Sequence, residues 1–157
     1  MNDLTAATRA IVVEEDFPHP PALVWRAVSD GAMMAKWIMP PTGFAPVVGQ
    51  AFTFQTTPAG AWDGTIRCRV LEVRPQERLV WSWQGGDAGN TGYGSALDTT
   101  VTLTLTPFAG GTRLRVEHAG FELPRNQVAY DNMSGGWKTV AHRIGAAIAQ
   151  DGAADHG

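Results

Sequence analysis

Between positions 51 and 118 the apolar residues recur at every second position, and this alternation limits what the chain can fold into. In the clearest segment Val101, Leu103 and Leu105 alternate with threonines. A period of two places apolar side chains on one face of a β-strand and polar side chains on the other. Short turns separate the alternating segments, so the sequence predicts an antiparallel sheet with one covered face.

The alternation changes parity near Val70, in the middle of one predicted strand. Ile66, Cys68 and Val70 share one parity, whereas Leu71 and Val73 continue the apolar series on the other. A shift of one residue is typical of a β-bulge, which inserts one extra residue into a strand and bends it. The sequence therefore predicts a bulge or a sharp bend at this point.

Two short helices are predicted between the first strand, residues 10–17, and the rest of the sheet. Pro21 suits the first position of a helix because its missing N–H would be unpaired there in any case. Asp30 can cap a second helix that ends at Trp37, since its carboxylate can accept from a free backbone N–H. Prolines and Gly43 end this helical region.

The apolar period changes to three and four residues after Leu123, and this period predicts one amphipathic helix of about 20 residues. Gly135 and Gly136 lie inside it, each at a cost of about 1 kcal/mol relative to alanine. Such a cost indicates a kink, or a backbone that approaches another group closely. The apolar stripe consists of Met133, Trp137, Val140, Ala141, Ile144, Ala147 and Ile148.

These elements predict one α+β domain over residues 10–150, with flexible termini at 1–9 and 151–157. In the expected architecture a curved antiparallel sheet wraps around the long C-terminal helix, and the two short helices close one end. A helix is only about 10 Å wide, so it cannot fill the middle of a strongly bent sheet. We therefore expect a cavity between the sheet and the helix, where ligand sites are common.

Composition excludes several classes of protein. The 157 residues match one domain, and the net charge of -3 lacks the basic footprint of a nucleic-acid-binding protein. No apolar run approaches the roughly 18 residues of a membrane span, and no secretory signal is evident. Cys68 has no second cysteine to pair with, which favours a reducing compartment. The expected location is the cytoplasm.

No catalytic, phosphate-binding or metal-binding motif occurs, so the sequence predicts neither a cofactor nor a metal site. His118 is the most informative ionisable residue, because it follows Leu114 and Val116 on their inward face. It can be a structural histidine bonded to backbone or water, a polar anchor for a ligand, or a proton carrier. A nucleophilic pair of Cys68 with His118 is conceivable, but a cysteine among apolar residues usually belongs to the core.

Six tryptophans occur in this short, lightly charged chain. Four lie on apolar faces, where they either pack in the core or line a pocket, while Trp25 and Trp62 fit less well and are candidates for a pocket mouth or a partner surface. The residues that we expect to line the cavity are Trp37, Phe52, Phe54, Trp81, Trp83, His118, Phe121, Met133 and Trp137.

Several segments together resemble the Aha-type family, the homologues of the activator of heat-shock-protein-90 ATPase. They are Val24-Trp25-x-Ala27-Val28-Ser29-Asp30 with Trp37, the segment from Val70 to Trp83, Thr100 to Leu103, Gly111 to Leu114, His118-x-Gly120-Phe121, and Gly136-Trp137. The resemblance covers about Ile11 to Ala149. It implies a helix-grip fold of the START-like (SRPBCC) superfamily, with a deep cavity between the sheet and the last helix.

The resemblance leaves the function open, because fold alone does not determine activity. Eukaryotic Aha-type domains accompany a separate amino-terminal domain and act on the chaperone. Other superfamily members bind lipids, hormones or polyketides, and a few are cyclases. Our main hypothesis is a protein that binds a hydrophobic, aromatic or polyketide-like small molecule. The alternatives are a chaperone-regulating interaction module and a polyketide cyclase-like enzyme that uses His118. A homodimer is compatible with the sequence, which contains no feature that specifies one.

Overall fold

The computed structural model describes residues 7–156. Along the chain the elements are β1 (Ala7–Phe17), α1 (Pro21–Ser29), α2 (Gly31–Trp37), β2 (Ala51–Gln55), β3 (Thr65–Arg74), β4 (Arg78–Gly85), β5 (Leu97–Phe108), β6 (Gly111–Leu123) and α3 (Gln127–His156). This order matches the prediction of a strand, two short helices, several strands and one long helix.

The strands form one antiparallel sheet in the order β1-β6-β5-β4-β3-β2. The sheet is curved and open, and the buried apolar residues of the alternating segments form its inner face. Val101, Leu103 and Leu105 are buried while the threonines between them are half-buried. The predicted α+β helix-grip (START-like) fold is confirmed.

The predicted bulge is present in β3. The register against β4 shifts between Val70, which pairs with Trp81, and Glu72, which pairs with Val80. Leu71 is therefore the extra residue, and its side chain is 46% exposed. The bulge bends the strand, because two residues on β3 span the space of one on β4.

The long helix α3 packs through the predicted stripe against the inner face of the sheet and against α1 and α2. Ala141 and Ile144 are fully buried at the centre of this stripe. The short helices are joined by the Trp37 indole N–H, which donates to the Ala27 carbonyl oxygen at 2.8 Å. Asp30 caps α2 as predicted, since its carboxylate accepts from the Ala32 N–H at 3.2 Å.

Regular structure extends further than the predicted limits of 10–150. The first strand begins at Ala7, and the backbone of α3 is helical to His156. Residues 1–6 and 157 lie outside the described residues, and the flexibility of the termini stays a prediction. No helix within residues 7–156 is both long enough and apolar enough to cross a membrane.

Candidate functional site

A cavity of about 230 Å³ lies between the first half of α3 and the sheet, at the end of the sheet where β4 finishes with Gly85. The helix contributes one wall through residues spaced three and four positions apart. These residues are Ala129, Asn132, Met133, Gly136, Trp137 and Val140. The spacing places them on one helix face, so a single surface of α3 forms this side of the cavity.

The opposite wall comes from the end of β4 and the loop that follows it. The contributing residues are Trp83, Gly85, Gly86, Tyr93, Gly94, Ser95 and Leu97. The remaining residues flank the mouth after α2 and between β2 and β3, namely Ile38, Met39, Thr56, Trp62 and Ile66. None of these described lining residues carries a charge, so the cavity suits an uncharged, largely apolar molecule.

The close approach of the α3 backbone to another group, which the sequence offered as one reason for the pair of glycines, is not found at either Gly135 or Gly136. A Cβ atom built on Gly136 meets no heavy atom within 4 Å, and the residue lies on the cavity wall. Gly135 is equally uncrowded but does not line the cavity. The absent side chain at Gly136 therefore leaves free volume beside the helix backbone.

The loop after β4 is tied to the loop between β2 and β3 by side-chain hydrogen bonds. The Asn90 amide donates to the Ala59 carbonyl oxygen at 2.8 Å, and the Tyr93 hydroxyl donates to the Thr57 carbonyl oxygen at 2.7 Å. The Tyr93 ring also lies 6.1 Å from that of Trp62, centroid to centroid. The glycine-rich segment, which the sequence predicts to be a mobile hairpin loop, thus has fixed partners over the cavity mouth.

Of the nine predicted lining residues, Trp83, Met133 and Trp137 lie on the cavity wall. The other six are buried in the adjoining core and lie outside the wall, namely Trp37, Phe52, Phe54, Trp81, His118 and Phe121. Ring packing explains the difference. Phe52 and Phe54 have centroids 5.6 Å apart, and Phe54 lies 5.8 Å from Trp83, so the aromatic rings fill the concave sheet behind Trp83.

His118 lies behind the cavity wall, fully buried, with both ring nitrogens occupied. The Trp137 indole N–H donates to Nδ1 at 3.0 Å, and Nε2 lies 2.7 Å from the Thr99 hydroxyl. The Thr99 hydroxyl donates to the Trp83 carbonyl oxygen at 2.9 Å. An indole can only donate, so Nδ1 is the acceptor and the Nε2–H donates to Thr99. His118 thus holds the neutral Nε2–H tautomer.

Burial lowers the pKa of His118 to about 3, because the imidazolium would lose its hydration. The side chain is neutral at physiological pH and does not reach the cavity, so it is poorly placed to exchange protons with a bound molecule. Its geometry is that of a structural residue that holds the Trp137 ring, which forms part of the wall.

The tryptophans differ in how their indole N–H groups are satisfied. The Trp62 N–H donates to the Thr65 carbonyl oxygen at 2.9 Å, and this half-buried side chain lies on the cavity, as expected for a residue at a pocket mouth. Trp25 is half-buried against the core and lies off the wall. Within the described residues, the buried N–H groups of Trp81 and Trp83 have no hydrogen-bond acceptor.

Sequence reasoning missed the lining residues of the loop after β4, above all Ser95 and Tyr93. They follow no apolar period, because they lie in irregular backbone. Two signals in the sequence point to them indirectly. Five glycines between Gly85 and Ser95 indicate an unusually folded connection, and Gly136 indicates space beside the helix.

The site contains no group that suggests a metal centre. No cluster of three or more histidine, cysteine or acidic side chains occurs among the residues that the structure describes. Cys68 is buried on β3, and burial raises the pKa of its thiol to about 12. It therefore lacks the thiolate character of a nucleophile.

Comparison with known protein families agrees with this architecture. The model of the family "Activator of Hsp90 ATPase homolog 1-like protein" matches residues 18–149. The chain belongs to this family. Its fold supports a ligand-binding domain, as in the wider SRPBCC-like group of structures. A comparison with curated proteins found no match.

Solved structures similar to this Hsp90-activator-homologue domain cover nearly its whole length. MLL2253 from Mesorhizobium loti is 32% identical, with 90% of this chain and 98% of that chain covered and a TM-score of 0.77. CalU16 from Micromonospora echinospora is 25% identical, with 90% of this chain and 76% of that chain covered and a TM-score of 0.67. DynU16, a protein of the dynemicin biosynthetic locus, is 25% identical, with 87% of this chain and 46% of that chain covered and a TM-score of 0.67.

Proposed function

We propose that this protein binds an uncharged, hydrophobic aromatic small molecule in the cavity between the sheet and α3. The observation that carries the proposal is the wall itself, which is uncharged and largely apolar and contains the rings of Trp62, Trp83 and Trp137. Burial of apolar area supplies the gross binding free energy, at roughly 25 cal/mol per Å². Aromatic faces add offset or edge contacts that favour a flat ligand.

The volume of the cavity narrows the range of ligands. An engineered apolar cavity of about 150 Å³ binds benzene. The cavity of about 230 Å³ is larger by roughly one small substituent or a second fused ring. We therefore expect one- or two-ring aromatic compounds, including small polyketide-like ones. The similarity to DynU16, whose locus is biosynthetic, supports this class.

Gly136 allows a direct test with a matched control. In Gly136→Leu the new side chain enters space on the cavity wall, whereas in Gly135→Leu it enters open space off that wall. Both variants replace a helical glycine on adjacent positions of α3, so their effects on helix propensity are comparable. Binding is measured by quenching of tryptophan fluorescence and by calorimetry with a panel of naphthalene derivatives.

The expected result is micromolar binding to the wild type and to Gly135→Leu, with at least a tenfold weaker affinity in Gly136→Leu. If no aromatic compound of the panel binds the wild type, the proposal is wrong. Equal affinities in the two leucine variants would likewise count against binding in this cavity, because Gly136 lines its wall and Gly135 does not.

Chaperone regulation is the second candidate function, and membership of the family favours it. Its test is the ATPase rate of a bacterial chaperone of the heat-shock-protein-90 type, measured with and without this protein. An altered rate that is the same for wild type and Gly136→Leu would support a protein-binding role independent of the cavity. An unchanged rate together with separate elution would exclude it. We also propose a cytoplasmic location, because the single cysteine of this sequence favours a reducing compartment.

A further inference from the structure

Most polar groups on the cavity wall are already occupied or enclosed by the protein itself. The indole N–H groups of Trp62 and Trp137 donate within the chain, and so does the Tyr93 hydroxyl. The Trp83 N–H and the Ser95 side chain are buried, so they are not accessible to a molecule in the cavity. A ligand therefore meets few groups that can still form a hydrogen bond.

Asn132 and Thr56 line the cavity with polar side chains that have no hydrogen-bond partner within the described residues. Thr56 is half-buried just after β2, whereas Asn132 is exposed on α3. An amide presents two N–H donors and a carbonyl acceptor, and each loses a partner when a ligand displaces water from it. Asn132 is therefore the main polar group that a bound molecule has to satisfy.

The glycine at position 136 leaves Asn132 uncovered. The two residues are four positions apart, so they lie on the same face of α3. A helical side chain leans towards the helix N-terminus and covers the preceding turn, so a larger residue at position 136 would cover Asn132. A Cβ atom built on Gly136 meets no heavy atom within 4 Å, so no other part of the described chain fills this space. The Asn132 amide thus adjoins free volume on the cavity wall.

The wall is polar at its exposed rim and aromatic where it is buried. Asn132 is exposed, whereas Trp83 and Trp137 are each only 4% exposed. A molecule that matches both parts has an aromatic body and one polar end. This end has to be uncharged, because no charged side chain among the described lining residues would compensate a partly buried ion.

We propose that the ligand is a phenol-type aromatic compound whose hydroxyl group donates a hydrogen bond to the side-chain carbonyl oxygen of Asn132. This inference rests on the proposed function, since it names the chemical class of the molecule in the same cavity. A phenolic hydroxyl, with an ordinary pKa of about 10, is neutral at physiological pH and retains its donor hydrogen. A carboxylic acid is ionised at that pH and has no hydrogen to donate.

The test compares 2-naphthol with 2-methylnaphthalene by calorimetry, because a hydroxyl and a methyl group have nearly the same size. The first proteins are the wild type, Asn132→Leu and the control Thr139→Leu. Thr139 is also an exposed polar residue of α3, but it lies off the cavity wall. The quantity of interest is the affinity for 2-naphthol divided by that for 2-methylnaphthalene, since changes that affect both probes equally cancel in this ratio.

We expect the ratio to fall at least fivefold in Asn132→Leu, as the loss of one net hydrogen bond allows, and to stay within twofold of the wild type in Thr139→Leu. In Asn132→Asp we expect no fall, because a carboxylate oxygen still accepts from the ligand hydroxyl. A fall in Asn132→Asp to the value of Asn132→Leu would overturn the assignment of the hydroxyl as the donor.

The remaining outcomes separate this inference from the proposed function. If both probes bind the wild type and the ratio is unchanged in Asn132→Leu, the inference is wrong while the proposed function stands. A fivefold fall in Thr56→Val instead would overturn it in the same way, because Thr56 would then be the recognising group. Absence of binding by both probes contradicts the proposed function and this inference with it. Should Asn132→Leu fail to fold, Asn132→Ala provides the same ratio.

Discussion

The indole N–H of Trp137 on α3 donates a 3.0 Å hydrogen bond to Nδ1 of His118 on β6. The two rings meet edge to face, with centroids 6.0 Å apart and planes at 85°. Trp137 lies on the cavity wall, whereas His118 is fully buried in the core behind that wall. The same contact therefore joins the helix to the sheet and sets the boundary of the site.

The low pKa of His118 predicts that stability falls in mild acid. Unfolding restores the ordinary value of about 6.5, whereas the folded pKa is lowered to about 3. The unfolded chain therefore takes up a proton that the folded protein excludes. The contribution is complete above pH 6.5 and is lost as the pH falls from 6.5 towards 3. Between pH 7 and pH 5 we expect a loss of about 2 kcal/mol, measured by urea unfolding.

His118→Gln is the control for this pH dependence. The variant is less stable at pH 7, because it disturbs the contacts with Trp137 and Thr99. Its free energy of unfolding changes less between pH 7 and pH 5 than that of the wild type. Parallel pH profiles in the two proteins would show that His118 titrates normally and would contradict the prediction.

Replacing Trp137 with phenylalanine removes the N–H but keeps an aromatic ring. We expect Trp137→Phe to lower the free energy of unfolding by about 1–3 kcal/mol, because Nδ1 of a fully buried histidine loses its donor. Trp62→Phe removes an N–H donated to the half-buried Thr65 carbonyl, where water can substitute, so its effect is smaller. Chemical denaturation followed by circular dichroism measures both, and equal losses would count against the prediction.

Two glycine-to-alanine substitutions are expected to change stability in opposite directions. Gly135→Ala adds a methyl group in open space on a helix and raises the free energy of unfolding by about 0.5–1 kcal/mol. Gly86→Ala forces a Cβ against the Ser95 carbonyl oxygen at positive φ, so it destabilises the fold by more than that. Thermal unfolding compares them, and a stable Gly86→Ala protein would refute the described loop geometry.

Cys68 is expected to be inert in the folded protein. Its thiol is buried and its pKa is raised to about 12, so almost no thiolate exists at neutral pH. Alkylation by iodoacetamide at pH 8 should be far slower in native buffer than in guanidinium chloride. Mass spectrometry follows the reaction. Comparable rates in the two conditions would mean that the thiol is accessible.

The strands and the long helix could be predicted from the sequence because the side of an element on which a residue lies is a local property. The period of two between positions 51 and 118 and the later period of three and four determine which residues point inward. The shift at Val70 predicted the bulge for the same reason, and the inward position of His118 followed from Leu114 and Val116. The family resemblance then pointed to the helix-grip fold.

Only the tertiary structure decided which inward residues meet the cavity. Phe52, Phe54 and Trp81 share an inward face with Trp83, yet mutual ring packing buries the first three in the core and leaves Trp83 on the wall. The volume left over depends on how facing elements fill the space between them, which no period along one strand encodes.

The same reason applies to the polar groups of the site. The sequence by itself determined an inward histidine on a strand and a glycine-rich connection after β4. It could not show that the helix residue Trp137 would occupy Nδ1 of His118, or that Asn126 would donate to the Ser95 hydroxyl. Those pairs are 19 and 31 residues apart, and long-range pairing arises only when the sheet and helix pack together.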